Sequence, residues 1–430
     1  MKTKQNIRIL AIESSCDETA AAVIGVEQFA IRDKQSAVPV ILSNIVSSQV
    51  DLHAKTGGVV PEVASRAHME AIIPVITQAL LDAKQEHSND KLSNDKIIEN
   101  CKLKIENYSA AIQDLKQNID YIAVTVGPGL VGSLLVGFNA AKSLAYALDK
   151  SIIPINHIEG HIYSAFACHS EQSEESIGKK EILRLPLVAQ DDTMCRFPLL
   201  ALTVSGGHTS LTMMKDHGEY ESIGQTLDDA AGEAFDKVAK LLDLGYPGGP
   251  VVSKLASQFR MYSVNRIAYN DVGKSQHTTY NIRHTGLVFT RPILNDGTFN
   301  FSFSGLKTAV LQYVLNVKKE HELTEEDKQE ICAAFEDAVV DVLVKKTIKA
   351  AEKYEPKAII LAGGVAANEH LRSSLAKAIS NEQLVATFLP VPKKLSGDNA
   401  AMIGLAAYYH VQKDNVSSWD KIKVDSNLEL

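Results

Sequence analysis

The sequence predicts an α/β protein of two duplicated lobes with a nucleotide cleft between them. Three observations carry that prediction. The chain has 430 residues, enough for two ordinary cores. Two apolar strands joined by a polar tip, residues 7–24, are followed by a strand–glycine–helix unit over 121–148, and the same succession returns as 199–214 and 358–379. Both hairpin tips would then face one cleft, and α/β sheets collect ligands at the carboxyl ends of their strands.

The elements follow in order. Ile7–Glu13 reads as a buried strand, Ser14–Thr19 as the polar tip and Ala20–Ile24 as the returning strand. The hydroxyls and amides of the tip could hold a phosphate, or simply be solvated. Gly57–Glu62 is a loop, and 63–83 keeps helical spacing despite Pro74. Tyr121–Val126 is a strand ending in Gly127-Pro128-Gly129, and Leu130–Leu148 is a helix with small residues on one side. A glycine turn before a helix N-terminus is an anion site in general form, and also a common connection. Ile152–Ile155 is a short strand. Leu199–Ser205 and Thr209–Met214 form the second hairpin, tipped by Gly206-Gly207-His208. Asp228 and Asp229 read as cap residues of the helix after them. Thr324 caps a long helix, Glu325–Tyr354. Ala358–Leu361, Gly363-Gly364 and Ala366–Ile379 repeat the strand–glycine–helix unit with Asn368 in the first turn, and a final helix reaches His410. Polar, weakly periodic stretches at 85–118, 169–196 and 260–287 read as insertions. One lobe is expected to comprise 1–155 plus about 400–430, the other 156–399.

Composition excludes several classes. Hydrophobic content of 45% and charged content of 22% fit a globular protein. No apolar run reads as a span of about 20 residues, and the start is too short and polar for a signal peptide. Five cysteines without a CxxC pair point to a reducing cytoplasm and away from a structural zinc site. A net charge of −8 offers nucleic acid nothing, so any RNA needs a local basic patch or a basic partner.

Asn156-His157-Ile158-Glu159-Gly160-His161 carries chemistry. Two histidines four apart on a helix project from one face, the spacing that lets two imidazoles share a metal. With 13 histidines in the chain, one such pair is expected ~0.4 times by chance, so the pair alone is weak. Asn156 reads as the N-cap with Glu159 three residues on. Glu159 lies roughly 200° round the helix from His157, away from any metal the pair holds, which departs from the zinc-peptidase pattern. The third ligand must come from elsewhere, and Asp398 reads otherwise as a helix cap.

With these residues placed, the chain resembles the family of tRNA adenosine threonylcarbamoyltransferases, within the actin/hexokinase-like superfamily. The resemblance runs from Ile9 to about Tyr409, outside the three insertions, which are longer than is usual there. It rests on Glu13–Thr19, Gly57–Glu62, Gly127–Gly132, Asn156–His161, Val204–Thr209, Asp228–Lys237, Tyr246–Pro250, Phe303–Lys307, Gly363–Asn368 and Ser396–Asn399. A weaker match is Phe289–Pro292, with Thr290 where a proline is usual.

The resemblance implies two actin/hexokinase-like (ribonuclease H-like) lobes. It implies that His157, His161 and Asp398 hold one divalent metal, Fe2+ ahead of Zn2+, leaving positions open for ligand oxygens. Thr203, Val204, Ser205, Gly206 and Gly207 would surround the substrate phosphate, and Asp236, Gly249 and Asn368 the nucleoside. The implied reaction moves the threonylcarbamoyl group from threonylcarbamoyl-AMP to N6 of the adenosine beside the anticodon of tRNA. Of the two acids at the first tip, Asp17 ahead of Glu18 could accept the proton, or Asp17 could serve only to shape the hairpin. The implied partners are a metal-lacking paralogous subunit and a P-loop ATPase. Three rivals stand beside it: a kinase of the same superfamily, a metallopeptidase, and a non-enzymatic nucleotide switch.

Overall fold

The computed structural model describes residues 7–31, 34–84, 105–167, 197–270 and 287–430. Much of the first and third expected insertions, and all of 169–196, lie outside those residues, as do Cys101, Cys168 and Cys195. The described parts of the two remaining insertions are helical, Ile105–Asn118 and the end of Gly248–Asn270.

Two five-stranded sheets share one plan. The first comprises β1 (Ile9–Glu13), β2 (Glu18–Ile31), β3 (Lys34–Ser48), β4 (Tyr121–Gly127) and β5 (Ser151–Asn156), in the order β3-β2-β1-β4-β5. β1, β2 and β3 pair antiparallel, whereas β4 and β5 add in parallel. The second comprises β6 (Leu199–Val204), β7 (Thr209–Asp216), β8 (Glu219–Gln225), β9 (Ala358–Ala362) and β10 (Thr387–Pro390), in the order β10-β9-β6-β7-β8. Its directions match strand for strand. This is a duplicated α/β fold of two lobes, as expected. The strands β1, β6 and β9 are buried along their whole length, as their largely apolar runs require.

The expected strands and helices are present with shifted ends, and three strands went unread: β3, β8 and β10. All three are edges of their sheets. Asp228 is a correction. It does not cap the helix after it, Ala231–Leu241, which has no side-chain cap. Its carboxylate instead accepts from the backbone of Phe303 and Ser304 and from the Ser302 and Ser304 hydroxyls, steadying the start of helix Ser304–Glu320. Asp229 pairs with Lys237. Helix Val131–Leu148 is 18 residues long with mean hydropathy 1.2, so by length and composition alone it could cross a membrane. Here its Leu134 is buried, and its Phe138, Ala141 and Ala145 belong to the core of the first lobe.

One core joins the lobes. It takes in helix Ala400–Gln412, buried from Ala400 to Tyr408, together with residues of β1 and β5 from one sheet and of β6 and β9 from the other. Helix His157–Tyr163 packs on it at Gly160, where a Cβ would sit 2.8 Å from Ile403 Cδ1 and 3.2 Å from Met402 Cγ. A glycine between the histidines lets the two helices approach closely. That approach sets Asp398, two residues ahead of helix Ala400–Gln412, against the histidine pair.

Candidate active site

β5 delivers the chain to Asn156, whose Oδ1 accepts from the backbone N–H of Ile158 (2.8 Å) and Glu159 (3.4 Å) and so starts the histidine helix. Asp398 Oδ1 lies 3.1 Å from His161 Nε2 and 3.5 Å from His157 Nε2. One ligand atom from each of the three falls within 4.8 Å of the others. His161 is fully buried, and neither of its ring nitrogens has an aligned hydrogen-bond partner despite the nearby carboxylate. A buried imidazole left unsatisfied is costly, and a cation between these groups would satisfy it. Two imidazoles and one carboxylate can hold a divalent metal with open positions. Burial works against charge on Asp398, yet His157 and His161 outweigh it and hold its carboxyl well below the usual range. Burial likewise disfavours charge on His157, but Asp398 and Glu13 on either side raise it well above an ordinary histidine.

The cap expected at Asp398 belongs to Asn399, whose side chain accepts from Met402 N (3.1 Å). The Asp398 carboxylate is therefore free to face the histidines. Glu159 points the other way, accepting from the Tyr220 hydroxyl (2.6 Å) and lying 3.0 Å from His410 Nε2.

Sequence reasoning passed over Glu13. This fully buried carboxylate accepts from Ser15 N and from the Thr125 hydroxyl, both at 2.5 Å, and lies 3.2 Å from His157 Nδ1. The Ser15 hydroxyl is 3.1 Å from the same nitrogen. With Nδ1 engaged, Nε2 is aimed at Asp398, the outer-shell arrangement that orients a metal-binding histidine. The available signal was a carboxylate closing an otherwise apolar strand, Ile-Leu-Ala-Ile-Glu.

The second hairpin closes on itself at Ser205. Its N–H donates to His208 O (2.8 Å), and its hydroxyl accepts from His208 N (3.2 Å). Gly206 and Gly207 are exposed, and a Cβ built on either meets nothing within 4 Å. Behind the tip the backbone is gripped. A Cβ on Gly232 would strike Ser205 O at 2.5 Å, and Gly363, at φ +88°, admits none against Val204 O. His208 is another residue not singled out. Burial first, then the charges of His157 and His161, push it down to about 4, so this turn lies within electrostatic reach of the histidine pair.

The other expected residues are distributed as follows. Thr203 and Val204 are wholly enclosed, main chain included, inside the second sheet. The Asp236 carboxylate accepts from Gly248 N (2.7 Å), next to Gly249, and is raised by burial, with Asp17 and Glu233 adding to the shift. Asn368 caps helix Glu369–Asn381 instead of lying inside it, with Leu371 N 2.8 Å from its Oδ1. Asp17 is buried at the first tip, and its neighbour Glu18 is raised well above a usual glutamate by burial, Asp17 and Asp398. The first tip does not offer its serines to a phosphate. Ser14 Oγ accepts from Gly137 N (3.1 Å) and donates to Ser133 O (2.9 Å), and Ser15 is spent on Glu13 and His157.

A family model described as tRNA N6-adenosine threonylcarbamoyltransferase matches residues 40–90, 96–174 and 183–405. The chain belongs to that family. It is accordingly a transferase that modifies tRNA. A relative of that name from Clostridium perfringens is 40% identical over 422 residues, covering 98% of each chain. One from Symbiobacterium thermophilum is 42% identical over 401 residues, 93% of this chain and 91% of the other. One from Bacillus subtilis is 39% identical over 98% of this chain and 95% of its own. These relatives are matched over nearly their whole length, so the three insertions do not make this chain longer than they are. Among solved structures, full-length HypF in its phosphate- and nucleotide-bound form is 13% identical, with TM-score 0.46, over 96% of this chain and 56% of that one.

Proposed function

We propose that the protein transfers the threonylcarbamoyl group from threonylcarbamoyl-AMP to N6 of adenosine 37, beside the anticodon, in tRNAs that read codons beginning with adenine. One pairing supports this reading: the bare Gly206-Gly207 turn runs into His208, which lies within electrostatic reach of His157, His161 and Asp398, the three residues able to share a metal. An anion-receptive tip next to a metal-ligand set suits a phosphate-bearing acyl donor. Amides of Gly206 and Gly207 take the phosphate, with the main chain of Thr203, Val204 and Ser205 shaping the turn. Asp236, Gly249 and Asn368 take the nucleoside. The bond from N6 to the carbonyl carbon forms, the bond from that carbon to the phosphate oxygen breaks, and AMP leaves. Asp17 accepts the N6 proton. An exocyclic adenine amine is a weak nucleophile, so positioning by these residues supplies much of the rate. A divalent ion on His157, His161 and Asp398, Fe2+ in our reading, would orient the donor and polarise its oxygens.

The lobes are drawn as 1–155 with about 400–430, and 156–399. A metal-lacking paralogous subunit and a P-loop ATPase complete the working assembly, and they supply the basic surface that a chain of net charge −8 lacks. Against a peptidase, Glu159 is committed to Tyr220 and His410 and places no base beside the metal ligands. Nucleoside mass spectrometry of tRNA incubated with the metal-loaded protein, its partners and preformed threonylcarbamoyl-AMP tests the proposal. Threonylcarbamoyladenosine at the anticodon-adjacent position is expected. Its absence, or cleavage of a protein substrate instead, would sink the reading.

A further inference from the structure

A buried carboxylate outside the metal site is tied directly to the nucleoside side of the cleft. Glu336, on helix Glu325–Tyr354, is 1% exposed. Its Oε1 accepts from Asn368 Nδ2 at 2.6 Å, and its Oε2 from Arg260 Nη1 at 2.5 Å. Arg260 also binds Asp337 Oδ1 (2.6 Å), which lies 2.8 Å from His370 Nε2. Burying such a charge is costly unless it is fully paired, and an apolar side chain would join the helices as well. The expense therefore calls for a reason besides packing.

Asn368 supplies it. Its amide has two donor hydrogens and one acceptor oxygen. The hydrogens go to Ser253 Oγ (2.8 Å) and Glu336 Oε1, and the oxygen takes Leu371 N. Flipping the amide would set NH2 against the Leu371 N–H and oxygen against the Glu336 carboxylate. One orientation is thus enforced, and it leaves the second lone pair of the Asn368 oxygen as the group available to a donor on the nucleoside. We propose that Glu336 is a positioning residue for the nucleoside half of the substrate, acting through the Asn368 side chain. The inference rests on the reading above that Asn368 contacts the nucleoside.

Steady-state kinetics with preformed threonylcarbamoyl-AMP, tRNA and the complete assembly test it. In Glu336→Gln, Arg260 keeps the carbonyl and turns the new NH2 onto the Asn368 NH2. The KM for the adenylate should rise about tenfold with kcat within about twofold, the size of one misplaced hydrogen bond. Asn368→Ala should raise KM similarly, and the double variant should be no worse than Asn368→Ala alone. Glu336→Asp, which keeps the charge, should restore part of the affinity, and it carries the same cycle if Glu336→Gln does not fold. Multiplying effects in the double variant, or an unchanged KM in Glu336→Gln beside a raised one in Asn368→Ala, overturn the role of Glu336. An unchanged KM in Asn368→Ala overturns both the nucleoside reading and the inference built on it. A residue that serves stability alone would lower the melting temperature and leave KM where it was.

Discussion

The β1–β2 hairpin of the first sheet spends its tip on the protein. Ser14 is held by helix Val131–Leu148, Ser15 by Glu13 and His157, the Cys16 carbonyl lies 3.0 Å from His68 Nε2, and the Asp17 carbonyl accepts from Gln49 N. The β6–β7 hairpin holds the same place in the second sheet, yet its Gly206 and Gly207 touch nothing where a side chain would be. Duplication gave two equal strand pairs, and the sequence at each turn divided the labour. Serines and an adjoining carboxylate make the first a bracket for His157, while paired glycines leave the second bare, as the receptor proposed above would need. The contrast predicts that changes at the first pole act on metal and stability, and that changes at the second act on substrate.

The largest effect is expected at the proposed metal ligands that the bracket serves. His161→Ala and Asp398→Asn should each lose metal, read by elemental analysis, and lower transfer by more than the roughly 10–100-fold that outer-shell changes cost. Because Asn399 carries the cap, Asp398→Asn should leave the melting temperature of metal-free protein nearly unchanged. Full metal content in both variants would place the site elsewhere.

Next comes Glu13→Gln. An amide cannot accept from Ser15 N and Thr125 Oγ1 and still hold His157 Nδ1 as a carboxylate does. Metal affinity, measured by chelator competition, should fall roughly 10–100-fold, while adenylate binding to metal-free protein stays put. Wild-type metal affinity would reduce the bracket to packing.

The third prediction crosses the two poles. Gly206→Val should cost about tenfold in adenylate affinity by calorimetry, the loss of about one good hydrogen bond, without moving the melting temperature. Gly137→Ala should do the reverse, since its Cβ would be driven into Ser14 Oγ. Overpacking of that kind costs about 1–3 kcal/mol of stability. Equal thermal losses in the two variants would erase the distinction.

The legible part of this molecule was what local pattern encodes. Largely apolar runs revealed β1, β6 and β9, and the i, i+4 histidines with Asn156 ahead of them revealed their helix. Edge strands were harder. β8, Glu-Tyr-Glu-Ser-Ile-Gly-Gln, is largely exposed, and β3 carries Pro39 and several serines, because a strand paired on one side tolerates polar residues. The partner of the histidines could not be read from spacing, since Asp398 is brought to them by the packing of Gly160 on Met402 and Ile403. Asp228 misled for the same reason. Acids at a helix start look like its caps, and only the fold shows that this one serves residues 302–304.

The smallest effect is expected at Ser14, and it tests how far the bracket extends. Its hydroxyl sits between Gly137 N and Ser133 O, a donor and an acceptor four residues apart on one helix. Those two groups are natural helical partners, so in Ser14→Ala they can close on each other and neither is left bare. The cost should be about 0.5–1 kcal/mol, near the low end for a buried hydrogen bond, read by denaturant unfolding. Ser15, not Ser14, touches His157, so metal affinity and transfer should stay within about twofold. A tenfold loss of metal affinity in Ser14→Ala would mean that anchoring the tip to helix Val131–Leu148 also aims Glu13. The bracket would then reach from the metal ligands to the far side of the sheet.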